Sequence, residues 1–192
     1  MDKFRMWRRC LTEWKFPMAT QQELFRADAI VTQAVSRMKD GSAGHGNLLL
    51  ALHVRRMQQV FFKQELGREL PVIPQGEVVL AMPDLPGVVA VADGSPDGKS
   101  TLLWNTYTVA AFQAEICKQH GWRTVIVVTF DLHMGRALWT YRSLGLDPLP
   151  GPVIGRGYTH RKLVHWGMRA KWRVFLRELA LRHVFLLLGK FG

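Results

Sequence analysis

Four β-branched aliphatic residues stand together at Val125-Ile126-Val127-Val128, between Thr124 and Thr129, and Asp131-Leu132-His133-Met134-Gly135-Arg136-Ala137 follows almost at once. A strand with one wet face alternates apolar and polar side chains. A run without alternation must be covered on both faces, as helices cover a parallel sheet. Residues 124–137 therefore predict a central parallel strand that turns directly into a helix. Such a chain belongs to the α/β class, as a three-layer Rossmann-like sandwich with helices on both faces of the sheet. Ligands in open α/β sheets bind outside the carboxyl ends of the strands, so this turn is the expected functional edge.

Similar short runs recur at Ala29-Ile30-Val31, Pro71-Val72-Ile73, residues 88–91 and Pro152-Val153-Ile154, giving a mostly parallel sheet of about five strands. A helix is expected over residues 106–120. Val109, Phe112 and Ile116 share one of its faces, Lys118 and His120 suit its negative end, and Gly121 supplies the stop. The helix after Thr129 takes Asp131 as its N-cap and ends with Gly145 in the left-handed position and Leu146 as its apolar contact. The proline-rich residues 147–152 cannot continue it. Residues 41–47 read as a flexible loop before a helix over 48–64 that ends near Gly67. Residues 77–85 fit either helix or strand, and Pro83 and Pro86 limit both.

At 192 residues the chain can enclose one ordinary core. The expectation is a helical N-terminal extension over residues 1–26 and one α/β domain over 27–192, closed by a basic amphipathic helix. Cys10 and Cys117 lack metal or redox spacing, so free thiols are expected and no metal. The first sixteen residues mix charge with tryptophan, and the longest strongly apolar run covers only residues 184–188. Neither pattern suits a signal peptide or a membrane span, which points to a cytoplasmic protein, at most peripheral to the inner membrane.

The formal net charge is +11, and residues 151–192 hold nine Lys/Arg against the single acid Glu178. Over residues 168–188 the pattern is amphipathic. Met168, Trp172, Phe175, Leu176, Leu179, His183 and Leu186 mark one side, Arg169, Arg173 and Arg177 another, and Glu178 and Arg182 form an i,i+4 pair. The apolar side is expected to pack on the sheet. The alternative is an interfacial helix on an anionic membrane surface. No helix-turn-helix, ribonucleoprotein or zinc signature accompanies the charge, so nucleic acid is not an expected partner.

Two segments carry candidate chemistry. Ser100-Thr101-Leu102-Leu103-Trp104-Asn105-Thr106 immediately precedes a helix, where hydroxyls and amides cap backbone N–H groups or reach a ligand. The free amides there also favour phosphate or carboxylate. In the second segment, Thr129 ends the strand, Arg136 offers a fork of donors for an anion, and His133 can accept or donate a proton near neutral pH.

Ser100-Thr101 with Asn105, then Val127-Val128-Thr129 with His133-Met134, Arg136-Ala137 and Gly145, resembles the ElyC/SanA/YdcF family of bacterial α/β proteins. That family reads S-x-T-x-E-N-A before one helix and V-T-S-x-Y-H-M-x-R-A at the next strand-to-helix turn. Ser100, Asn105, Thr129, His133 and Arg136 fall on its positions. Asp28-Ala29-Ile30-Val31 is similar to its opening strand, and Arg177-Glu178 to its closing helix. The resemblance implies a small-molecule-binding domain linked to cell-envelope biogenesis, with an anionic ligand that is nucleotide-like or S-adenosylmethionine-like. Asp28, Glu77, Ser100, Thr101, Asn105, Thr129, His133 and Arg136 are the expected ligand contacts, with His133 the catalytic candidate and Asp28 or Glu77 its acid–base partner.

The chain departs from that pattern in four places. Thr32-Gln33 replaces Leu-Gly after the first strand, Pro74-Gln75-Gly76 replaces Ser-Gly-Gly after the second, Trp104 stands for an acid and Leu132 for a tyrosine. Side chains where glycines let amides approach a ligand reshape the pocket, and a lost carboxylate removes a general base. The competing expectation is a catalytically silent membrane-surface or protein-interaction module that acts through its basic C-terminal helix.

Overall fold

The computed structural model describes residues 14–35, 37–92, 106–155 and 170–187. The elements in chain order are α1 (Gln21–Leu24), β1 (Ala29–Thr32), α2 (Gly44–Arg56), β2 (Val72–Ile73), α3 (Gly76–Ala81), α4 (Thr106–Gln119), β3 (Thr124–Phe130), α5 (Asp131–Ser143), β4 (Asp147–Ile154) and α6 (Lys171–Leu187). Helix α2 begins inside the stretch expected to be a flexible loop and continues into wider π-helical turns over Met57–Gln64. The ambiguous segment after β2 is the short helix α3.

The strands form one all-parallel sheet in the order β2-β1-β3-β4. The fifth expected run, at residues 88–91, reduces to parallel bridges from Val88 to Val72 and from Ala92 to Gln75 on the outer side of β2. The chain thus grows outward from β1 through β2, then returns to the opposite side of β1 with β3.

The unbroken apolar run of β3 divides between two cores. Ile126 and Val128 join Ile30 and Val72 under Leu50 and Val54 of α2, Val78 of α3 and Val174 of α6. Val125 and Val127 join Ala29, Val31 and Ile73 under Ala110, Ala114 and Cys117 of α4 and Met134, Leu138 and Tyr141 of α5. Both faces are buried, which is why no polar alternation survives in the sequence.

Local stops follow their residues. Gly145 has φ 86°, its N–H donates to the Arg142 carbonyl, and the Leu146 N–H reaches the Tyr141 carbonyl. This double closure ends α5 and buries Leu146. Asp131 is not the N-cap it was expected to be. It is the first helical residue, and its carboxylate accepts from its neighbour's Leu132 N–H and from Lys171 Nζ at 3.2 Å.

The proline-rich stretch is strand throughout, not only over residues 152–154, because it lies at the sheet edge. Pro148 and Pro150 pair with β3 on one side, and the Pro150 carbonyl takes the Ala19 N–H at 2.8 Å. A missing N–H costs least where no further strand needs it. A register shift near Gly151 brings this glycine so close to β3 that a Cβ would meet the Val127 carbonyl at 2.8 Å.

Helix α6 is amphipathic but turned from the expected face. Val174, Glu178 and Arg182 are fully buried, whereas Trp172, Phe175, Leu176 and Val184 are exposed. The reason is electrostatic. Glu178 has its cationic partner Arg136 inside the protein, and a rotation that exposed Glu178 would leave the buried guanidinium without its counter-charge. Among the described residues no helix is long and apolar enough to cross a membrane.

Candidate functional site

The strand order reverses between β1 and β3, the place where open α/β sheets hold ligands. Here the crevice contains the protein's own side chains. Gln33, just beyond the end of β1, is buried and donates from Nε2 to the Tyr141 hydroxyl at 2.9 Å. The Tyr141 hydroxyl donates to Gln113 Oε1. Gln113 Nε2 in turn donates to the carbonyls of Thr32 at 3.0 Å and Ile73 at 2.7 Å, at the last residues of β1 and β2. Thr129 is committed as well, because its hydroxyl donates to the Gln33 carbonyl at 3.0 Å. These groups satisfy one another in a low-dielectric setting, where each would be costly alone. Burial raises the Tyr141 phenol far above its usual range, so it stays protonated.

Beside this network, helices α4, α5 and α6 bring four polar side chains together. Arg136 donates from Nε to Glu178 Oε2 at 2.7 Å and from Nη2 to Oε1 at 2.8 Å, a bidentate pair with both residues buried. Its Nη1 donates to Thr106 Oγ1. His133 lies between them, with Nε2 3.4 Å from Thr106 Oγ1 and Nδ1 3.3 Å from Glu178 Oε1, and its ring stacks on Phe130 at 5.0 Å. The Nδ1 contact is short enough for strong attraction but lies off the line of a full hydrogen bond.

Burial sets the protonation of this group. It pushes His133 down to about 4, helped by the Arg136 charge and opposed by Glu178, so the imidazole is neutral at pH 7. Burial alone would push the Glu178 carboxyl up, but Arg136 and His133 outweigh it and hold the group well below the usual carboxylate range. The cluster is therefore one cation, one anion and a neutral base, with no net charge.

Of the residues expected to form the site, His133 and Arg136 of α5 meet at Thr106, and Thr129 lies one residue before the end of β3, the strand that leads into α5. Asp28 does not join them. It precedes β1, at the opposite edge of the sheet, where its Oδ2 accepts from the N–H groups of Arg123 and Thr124 at 2.8 Å each. Glu77 is in the first turn of α3 and pairs with Arg37 Nε at 3.3 Å. Ser100, Thr101 and Asn105 lie outside the described residues. Arg136, expected to neutralise a ligand, is bound by Glu178 instead.

Two residues of the cluster were not among the expected ligand contacts: Thr106, which only closed the candidate segment of residues 100–106, and Glu178, expected to pair with Arg182. Glu178 left a signal: a lone acid among nine basic residues of a terminal segment is more readily explained by a buried cation than by a surface pair. Thr106 left its place at the end of the hydroxyl-rich segment that leads into a helix. No protein-family model, curated protein or solved structure matches the chain.

Proposed function

We propose that the chain is a small-molecule-binding α/β domain of the ElyC/SanA/YdcF type, with its binding edge at the carboxyl end of β3 around Thr106 and His133. One observation carries this reading: three helices deliver Thr106, His133, Arg136 and Glu178 to a single desolvated cluster beside the strand-order reversal. Strongly perturbed titratable groups gathered at such an edge favour a functional site over a purely structural one. Arg136 and Glu178 act as its frame, and His133 with Thr106 supplies the polar contacts. The cluster is electrically balanced, so it suits a polar uncharged group of the ligand. Any phosphate or carboxylate would meet the amino-terminal turns of α4 and α5.

Nucleotides, S-adenosylmethionine and polyprenyl phosphates are the first probes, following the resemblance to envelope-biogenesis proteins. A ligand at 100 times its Kd should stabilise the protein by about 2.7 kcal/mol in thermal unfolding, and Thr106→Val should remove that gain. A panel without any shift, or a shift indifferent to Thr106→Val, overturns the assignment.

The outward face of α6 favours a second reading, association with an anionic membrane surface. Trp172, Phe175, Leu176 and Val184 are exposed there, Lys171 is exposed beside them, and the Arg173 guanidinium lies 5.1 Å from the Trp172 ring centre. Aromatic and aliphatic side chains flanked by cations match the headgroup boundary. Flotation with phosphatidylglycerol vesicles should carry the protein upward at low salt. The double variant Trp172→Ser, Leu176→Ser should stay at the bottom, and equal flotation of both proteins overturns this reading.

A further inference from the structure

Proton positions in the Thr106–His133–Glu178 line follow from donor chemistry. A guanidinium has no acceptor, so Thr106 Oγ1 accepts from Arg136 Nη1 and its one proton is free to point at His133 Nε2, 3.4 Å away. Nε2 then accepts, the neutral ring carries its proton on Nδ1, and Nδ1 faces Glu178 Oε1 at 3.3 Å. Hydroxyl, imidazole and carboxylate in this order form a nucleophile, a general base and the group that orients the base. Both contacts lie just beyond the roughly 2.6–3.2 Å reach of a proton transfer, within the looseness that catalytic contacts show before the reacting geometry forms. Arg136 sets a cation directly against Oγ1, where it favours loss of the hydroxyl proton to His133.

We propose that Thr106 is a nucleophile activated by His133, and that the domain transfers or hydrolyses acyl groups of carboxylic esters. This rests on the reading that small molecules bind at this edge. In the first step Thr106 Oγ1 bonds to the acyl carbon, its proton passes to His133 Nε2, and the carbonyl electron pair moves onto oxygen. Collapse breaks the bond to the alkoxy group, which leaves as an alcohol with the proton from Nε2. Water then adds to the threonyl ester, gives its proton to Nε2, and releases the acid as Oγ1 recovers that proton. Ester and water become acid and alcohol, with no other reactant. Glu178 is a positioning residue, since it acts through His133. The neutral form of His133 that burial enforces is the form this step needs.

The test is labelling of the full chain with an alkyl fluorophosphonate, whose phosphorus accepts Oγ1 and expels fluoride, read by intact mass and peptide mapping. A Thr106 adduct is expected, retained in Thr106→Ser, abolished in Thr106→Val and slowed at least about 100-fold in His133→Gln. Its rate should rise through pH about 4 and stay level to neutrality. Glu178→Gln, assayed below its own melting temperature, should move that limb to lower pH. Labelling elsewhere only, or at Thr106 with a rate indifferent to His133→Gln, overturns the nucleophile. Thermal stabilisation by p-nitrophenyl esters without any adduct overturns the chemistry but keeps the binding edge, and the absence of both overturns the two together.

Discussion

Glu178→Gln removes the charge around which α6 is docked. The wild-type carboxylate is fully buried and accepts two N–H bonds from Arg136, at 2.7 Å and 2.8 Å, with the His133 ring 3.3 Å from one oxygen. A glutamine keeps the shape, but its amide opposes a donor to a donor and leaves the guanidinium without a counter-charge in a dry site. Breaking one side of such a pair costs about 3–5 kcal/mol. For a protein of this size each kcal/mol moves Tm by about 2–4 °C, so Tm should fall by roughly 6–20 °C. Replacing both partners removes the charge problem, so Arg136→Met with Glu178→Leu should come within about 1–2 kcal/mol of wild type, or exceed it. Urea unfolding at constant m-value measures all three proteins. A single variant that loses less than about 1 kcal/mol, or a double variant that falls as far as the single, would refute the claim that this pair fixes α6.

The fold should also be sensitive to acid through His133. Its pKa is depressed in the fold to about 4 from an ordinary 6.5, so its contribution is complete above pH 6.5 and lost as pH falls toward 4. On the order of 2–3 kcal/mol should disappear across that window, and His133→Gln should flatten the measured profile. Gln113→Leu strips partners from the Thr32 and Ile73 carbonyls and the Tyr141 hydroxyl. It should cost about 2–4 kcal/mol in urea unfolding, against about 1 kcal/mol for Tyr141→Phe. Gly151→Ala places a methyl 2.7 Å from Ile126 Cγ2 and 2.8 Å from the Val127 carbonyl, and should cost about 1–3 kcal/mol with loosened hydrogen-exchange protection along β4.

Much of this architecture was legible because it follows from neighbours along the chain. Val125 to Val128 announce burial on two faces, Gly121 and Gly145 announce helix ends, and His133 and Arg136 announce a polar helix start. Asp28 was misplaced for the same reason. An acid before a strand looks like a site residue, and only the parallel pairing of β1 with β3 puts it at the far edge, on the Arg123 and Thr124 amides. The apolar stripe of α6 was read correctly as a pattern and wrongly as an inside face.

By itself the sequence determined the α/β class, the parallel sheet, the central strand and the turn that follows it, since apolar periodicity and left-handed glycines act within a few residues of one another. Tertiary structure alone decided which way α6 turns, that Arg136 faces Glu178 42 positions away, and that Gln33 fills the crevice with Tyr141 and Gln113. Those outcomes depend on charges and hydrogen-bond donors meeting across the fold, and in a desolvated interior the partner a group finds outweighs the hydropathy of its own segment.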